Sequence, residues 1–119
     1  ITKKEFMRLL GSIDRKKIKL AVLYNPSSYE VYRDILPQGK IDRTADEIAN
    51  YQKKEIEGFC RRNDIIFFDM SDEFKQIATK DYYIFGMYEG VHWSRTGTQA
   101  AYRILRDFLC KIGYIAYQE

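Results

Sequence analysis

The nine residues from Glu89 to Gly97 read Glu-Gly-Val-His-Trp-Ser-Arg-Thr-Gly and contain the only histidine of the chain, His92. Glu89 stands three residues before His92, and the segment leads into a pattern typical of a helix. A neutral imidazole oriented by a carboxylate can accept a proton from a hydroxyl nucleophile. The spacing therefore predicts that His92 acts as a general base, and Glu89 as its orienting acid, in hydrolysis or acyl transfer.

Structural roles for the same segment account for the sequence equally well. A histidine ahead of a helix can cap that helix or bond a neighbouring carbonyl group, so the role of His92 stays open at this point. Trp93 is expected to plug the core beside the loop. Ser94 or Thr96 is expected to cap the helix rather than to act as a nucleophile, because helical periodicity follows them.

The composition indicates one ordinary globular domain spanning residues 1–119, with a net charge of +3. The basic run Arg15-Lys16-Lys17 is interpreted as a solvated turn, so no nucleic-acid partner is predicted. No apolar run approaches the roughly 20 residues that cross a bilayer. One histidine and no close cysteine pair argue against a metal site, and no cofactor is expected. Cys60 and Cys110 are expected to be buried free thiols.

Periodicity and capping signals predict an alternation of helices and strands. Helices are predicted at Lys3 to Ile13, from Ser27 or Ser28 through Leu36, from a Thr44/Glu47 capping box through Cys60, from a cap at Ser71, and from about Thr98 to a stop at Gly113. Strands are predicted at Ile18 to Tyr24, buried on both faces, and at Ile65 to Phe68, with a short strand or extended loop at Tyr82 to Met87.

This alternation favours an α/β protein with a parallel sheet. Two or three strands make a narrow parallel sheet, so the chain is expected to be a partial domain whose other strands precede Ile1. In such sheets, sites gather at the carboxyl edge of the strands. The residues expected at this edge are Asn25, Ser27, Ser28, Asp69, Ser71, Glu89 and His92.

Two of these positions carry more specific expectations. Asp69, at a strand end, is expected to pair with an arginine or to cap the following turn. Ser27 and Ser28 lack the tight glycine-flanked turn that exposes a catalytic serine, so neither is expected to be a nucleophile.

The block from Glu89 to Gly97 resembles the last signature block of the SGNH (GDSL-type) hydrolases, Asp-x-x-His-x-x-x-x-Gly. Upstream, three further segments are similar in order to SGNH-like hydrolases and to the related alginate-type O-acetyltransferases: Leu20 to Pro26, Val31-Tyr32 with Leu36-Pro37, and Phe59 to Met70. Nearly the whole chain can be laid on the C-terminal half of such a domain.

The resemblance implies a three-layer α/β/α sandwich and a Ser-His-Asp triad, with His92 as general base and Glu89 as the orienting carboxylate. Glu89 replaces the usual aspartate and is one methylene longer, about 1.5 Å of extra reach, although Ser-His-Glu triads exist. No Gly-Asp-Ser block, oxyanion glycine or Gly-x-Asn-Asp block occurs in the 119 residues. The hydrolase order of motifs places the missing serine before Ile1.

The resemblance thus implies the C-terminal portion of an esterase or acylhydrolase that acts on a small-molecule or carbohydrate ester such as an acetyl ester. It also implies an extracytoplasmic or cell-envelope setting. Two alternatives remain open. One is a non-catalytic SGNH-derived module for binding or assembly, in which an exposed sheet edge joins copies into a homo-oligomer. The other is an O-acetyltransferase relative, whose motif requires an acid where Gly90 stands.

Overall fold

The computed structural model describes residues 3–35, 43–80, 84–85 and 92–116, except the side chains of residues 43, 45 and 46. Within these ranges the chain is an α/β protein. Its elements in chain order are α1 (Lys3–Ser12), β1 (Ala21–Tyr24), α2 (Ser28–Tyr32), α3 (Arg43–Arg62), β2 (Ile66–Asp69), α4 (Ser71–Ala78) and α5 (Arg95–Lys111).

The two strands lie parallel, as the alternation of elements predicted. Their register runs from Ala21 opposite Ile66 to Tyr24 opposite Asp69. The backbone N–H of Met70 donates to the Tyr24 carbonyl at 3.2 Å, so both strands end at the same level. The loops that follow β1 and β2 therefore start from one edge of the sheet, which confirms this part of the predicted site placement.

The prediction that β1 is buried on both faces is wrong. The strand begins at Ala21 rather than Ile18, and Ile18 and Leu23 keep 50% and 36% of their surface exposed. Neither strand contains a fully buried residue. The reason is the width of the sheet, which has two strands in the described ranges and leaves part of each face open to solvent. β2 lies one residue later than predicted because Asp69 joins the ladder opposite Tyr24.

Helix α1 ends at Ser12, one residue before the predicted end, and contains no buried residue. It is attached to α3 by an edge-on contact between the rings of Phe6 and Phe59, whose centroids are 5.5 Å apart. Its Lys3 also pairs with Glu55 of α3 at 2.7 Å. Helix α3 itself begins at Arg43, so Thr44 lies inside the helix and the predicted cap at that residue is wrong.

The core lies between α2, α4, α5 and the described residues 84–85. Phe74, Ile84 and Val31 are fully enclosed there, and Met70, Ala100, Ala101 and Ile104 belong to the same cluster. Of the predicted extended segment from Tyr82 to Met87, only Ile84 and Phe85 fall within the described residues, and Phe85 forms an isolated antiparallel bridge with Trp93.

Both cysteines are free; Cys60 is buried as predicted, and Cys110 is only partly buried. None of the helices in the described ranges has the length and apolar content needed to cross a membrane.

Candidate functional site

The predicted catalytic histidine lies just ahead of α5. His92 is exposed and immediately precedes Trp93, the bridge partner of Phe85. Glu89 lies outside the described residues, so its role as the orienting carboxylate of His92 stays a prediction. What the structure does describe is how the backbone after His92 is held.

Trp93 anchors the loop to the core, as predicted. Its indole stacks on the ring of Phe74 with the centroids 5.7 Å apart. Its Nε1 atom is buried and has no hydrogen-bond partner among the described residues. Stacked aromatic rings contribute about 0.5–1.5 kcal/mol beyond the area they bury, so this contact fixes the residue that follows His92.

Ser94 is the N-cap of α5, which decides between the two predicted caps. Its Oγ accepts a hydrogen bond from the backbone N–H of Gly97 at 3.1 Å. Its own backbone N–H donates to the Ile84 carbonyl at 2.8 Å. The helix therefore begins at Arg95, earlier than predicted, because the cap already satisfies its first turn. At the other end, Gly113 adopts φ 73° and confirms the predicted stop.

Gly97 lets α5 approach the segment at Ile84 very closely. A Cβ atom on Gly97 would lie 2.0 Å from the Ile84 carbonyl oxygen and 3.1 Å from the Cβ of Trp93. Real Cβ atoms do not approach a backbone oxygen this closely, so only glycine fits. The resemblance included Gly97 as a motif position, but the residues alone gave no reason for it.

A second group of polar residues lies at the carboxyl edge of the sheet. It surrounds the side chain of Glu30, a residue that was not predicted from the sequence to belong to the site. This side chain is only 6% exposed. Its Oε1 accepts from the Tyr24 hydroxyl at 2.8 Å, and its Oε2 accepts from the N–H and the hydroxyl of Ser27 at 2.9 and 3.0 Å. Ser27 Oγ accepts in return from the Glu30 N–H, which completes a capping box. The Ser-x-x-Glu spacing was the signal that could have identified Glu30.

Asp69 forms the other half of this edge. Its carboxylate accepts hydrogen bonds from both the backbone N–H and the hydroxyl of Ser71, and it pairs with Lys53 of α3 at 2.9 Å. The Lys53 ammonium also lies 5.1 Å from the ring centroid of Tyr24. Of the two roles expected for Asp69, the structure confirms turn capping; its ion-pair partner is Lys53 of α3 rather than an arginine.

The predicted cap of α4 also needs correction. The N-cap is Met70, which supplies no side-chain hydrogen bond, and Ser71 is the first residue of the helix. Its hydroxyl is used by Asp69 instead.

Tyr24, Ser27, Glu30, Lys53, Asp69 and Ser71 form what we call the edge network. Burial raises the pKa of the Tyr24 hydroxyl, and the hydrogen bond to Glu30 raises it further. Burial also opposes ionisation of Asp69, but the hydrogen bonds from Ser71 and Lys53 outweigh it and lower the pKa of Asp69. Within the described residues, the polar groups of the edge network bond to one another, so the edge network stabilises the sheet edge.

Replacing Asp69 with asparagine is expected to lower the free energy of unfolding by about 1–2 kcal/mol at pH 7. Because the folded-state pKa of Asp69 is lowered, its contribution is complete above the unfolded carboxyl pKa of about 3.9. It is lost as the pH falls through the folded value, so the difference from the wild type should shrink below a pH of about 4. Urea denaturation followed by circular dichroism across this range measures it.

Glu57→Gln is the matched control, since Glu57 is an exposed acid of α3 and should change stability by no more than about 0.5 kcal/mol at any pH. A deficit of Asp69→Asn that stays constant from pH 7 to pH 2 would contradict the assigned role of the ionised carboxylate.

The edge network and His92 are distinct parts of the predicted site. The structure pairs Ser27 with Glu30 and Ser71 with Asp69, and Ser28 is the first residue of α2, next to Ser27. The hydrogen bonds and the ion pair of the edge network do not include His92. In the part of the chain that the structure describes, no three His, Cys, Asp or Glu side chains are arranged to hold a metal ion.

Comparison of the chain with protein-family models, with curated proteins and with solved structures gave no match.

Proposed function

We propose that these 119 residues supply the histidine part of an SGNH-type ester hydrolase site. In this proposal His92 is the general base, Glu89 orients its imidazole, and the substrate is an acyl ester of a small molecule or carbohydrate. The attacking serine is taken from outside these residues, since none of their serines stands in a Gly-Asp-Ser block.

The observation that carries the proposal is the way the chain after His92 is held. A general base needs an imidazole that is accessible to substrate on a backbone that does not move. His92 is exposed, whereas Trp93, Ser94 and Gly97 are fixed by stacking, capping and close approach. The same segment carries the motif that resembles the SGNH family.

The packing on the sheet supports the finer proposal of a three-layer α/β/α sandwich. Val22 of β1 lines a cavity with Phe6 of α1 and Phe59 of α3. Phe68 of β2 stacks on Phe108 of α5 with the ring centroids 4.1 Å apart. Val22 lies opposite Phe67 in the register of the sheet, so Phe68, the next residue of β2, points to the other face because side chains alternate along a strand. Both faces of parallel sheets are normally covered by helices.

The test is ester hydrolysis by the full-length protein, followed as release of p-nitrophenolate from p-nitrophenyl acetate. Loss of a general base typically costs about 10²–10⁴-fold in rate, so His92→Ala is expected to lower kcat by that factor with little change in folding. Glu89→Gln should lower kcat by a smaller factor because the imidazole remains. The 119 residues alone should not accelerate the reaction, since they lack the attacking serine.

Arg95→Ala is the matched control, because Arg95 is an exposed neighbour on the first turn of α5 and has no assigned part in the chemistry. Its kcat should equal that of the wild type. Equal turnover by the wild type and His92→Ala would refute the catalytic role and support a non-catalytic binding or assembly module.

A further inference from the structure

A groove of about 690 Å³ runs between α4 and α5, away from the proposed site. Its apolar floor is formed by Phe68, Ile77, Ile104, Phe108 and Ile112. Phe68 and Phe108 are stacked with nearly parallel rings, at an interplanar angle of 6°. Packed aromatic rings of this kind make a rigid apolar surface. We call this feature the α4–α5 groove.

The rim of the α4–α5 groove carries an excess of positive charge. Lys80, Arg103 and Lys111 line it and are exposed. Among the described residues, no carboxylate lies within ion-pair distance of these three side chains. The cations are therefore available to a ligand that brings its own negative charges.

Two carboxylates, those of Glu73 and Asp107, also line the groove. Asp107 accepts hydrogen bonds from both Nε and Nη2 of its neighbour Arg106, at 3.0 and 2.8 Å. One oxygen of Glu73 is buried. With three cations against two carboxylates, the lining of the groove still carries a net positive charge.

The shape of the groove suits a helix. On α5, the rim residues Arg103, Asp107 and Lys111 recur every four positions and so form one stripe along the helix. From Arg103 to Lys111 the helix rises by about 12 Å. A second helix lying alongside would make a little over two turns over this length. Ile77 and Lys80 of α4 face the same groove from the other side.

We propose that the α4–α5 groove binds an acidic amphipathic helix of a partner protein. The apolar stripe of that helix would cover the Phe68–Phe108 floor, and its flanking glutamate or aspartate residues would pair with Lys80, Arg103 and Lys111. This is the helix-in-groove mode of recognition, in which apolar anchors give affinity and charged flanks give specificity and orientation. The inference is independent of the proposed esterase function, because Arg103 lies two turns along α5 from its first residue, Arg95.

The probe is a synthetic amphipathic peptide of about 18 residues with leucine on one face and glutamate on the other, long enough to exceed the groove. The comparison peptide has the same sequence with lysine in place of every glutamate. Binding of each labelled peptide to the full-length protein is measured by fluorescence anisotropy at low and at high salt. We expect the acidic peptide to bind at least about tenfold more tightly than the basic one, and the difference to shrink at high salt.

The double variant Arg103→Glu, Lys111→Glu should weaken binding of the acidic peptide about tenfold or more and improve binding of the basic one. Lys4→Glu, Arg8→Glu on α1 makes the same change in net charge at two exposed positions outside the groove and should leave both affinities unchanged. Circular dichroism confirms that each variant keeps its helices.

Four results would overturn the proposal. Equal affinity for the two peptides, or no effect of Arg103→Glu, Lys111→Glu, would show that the rim does not select charge. Absence of binding by either peptide would show that the groove is not a docking site. Self-association that this double variant abolishes, seen by sedimentation, would show that a second copy of the chain occupies the groove instead.

Discussion

Gly97→Ala is expected to destabilise the protein by about 3 kcal/mol, a large effect for the addition of one methyl group. The new Cβ would lie 2.0 Å from the carbonyl oxygen of Ile84, so α5 would have to move away from that segment. This movement would break the hydrogen bond from the Ser94 N–H to the same carbonyl. It would also disturb the loop that carries His92, so the proposed esterase activity should fall together with stability.

The matched control is Gly11→Ala in α1. Nothing lies within 4 Å of a Cβ at Gly11, and alanine favours helix over glycine by about 0.5–1 kcal/mol. The two substitutions add the same methyl group and should change stability in opposite directions, as measured by urea denaturation. If both variants were equally stable, the close approach of α5 to Ile84 would not exist in solution.

Glu30→Ala is expected to lower the free energy of unfolding by about 2–4 kcal/mol. The carboxylate accepts hydrogen bonds from the Tyr24 hydroxyl and from two donors of Ser27, all in a partly buried setting. Removing it leaves these donors without their partner, and each unsatisfied buried group costs about 1–3 kcal/mol unless water reaches it. Loss of the capping box adds to the cost because it frees the first turn of α2.

Glu30→Gln should be less destabilising, since the amide oxygen still accepts one of these bonds. Glu57→Ala serves as the control for loss of a glutamate side chain, because Glu57 is exposed on α3 and its removal should change stability by about 0.5 kcal/mol or less. Thermal and urea denaturation measure the three variants under the same conditions. A value for Glu30→Ala as small as that of Glu57→Ala would mean that the edge network does not stabilise the sheet edge.

The sequence predicted the local structure of the chain well where the determining contacts lie within a few residues. The start of α1, the cap at Ser94 and the stop at Gly113 each depend on one turn of backbone, and each is found where the pattern indicated it. The parallel pairing of β1 with β2 was also predicted, because alternating helices and strands leave few other arrangements.

Two of the failures concern features that are set by distant parts of the chain. An apolar run such as Ile18 to Tyr24 indicates a strand, but whether both faces are covered depends on how many neighbours the sheet has. The partner of Asp69 is Lys53, sixteen residues earlier and on another element, which no spacing rule gives. The failure at Ser71 is local: Ser71 has the residue type of a cap, yet its hydroxyl bonds to Asp69, two residues earlier, and Met70 takes the cap position.

The candidate site was predictable only in part for the same reason. The motif around His92 identified a candidate base, and the structure adds the contacts that hold the loop after it. Glu30 was not predicted as a member of the site, although the Ser27-x-x-Glu30 spacing is that of a capping box. The pairing of Glu89 with His92 remains a prediction that the kinetic variants address.

The stacking of Trp93 on Phe74 has a practical consequence, since this is the only tryptophan of the chain. Intrinsic emission excited at the indole band comes from a single position, one residue from the imidazole. The wavelength and quenching of this emission therefore report whether the loop that contains His92 is packed against α4. They do so independently of the far-ultraviolet circular dichroism of the helices. Local release of the loop and global melting become two distinguishable optical events in the same sample, with no label attached.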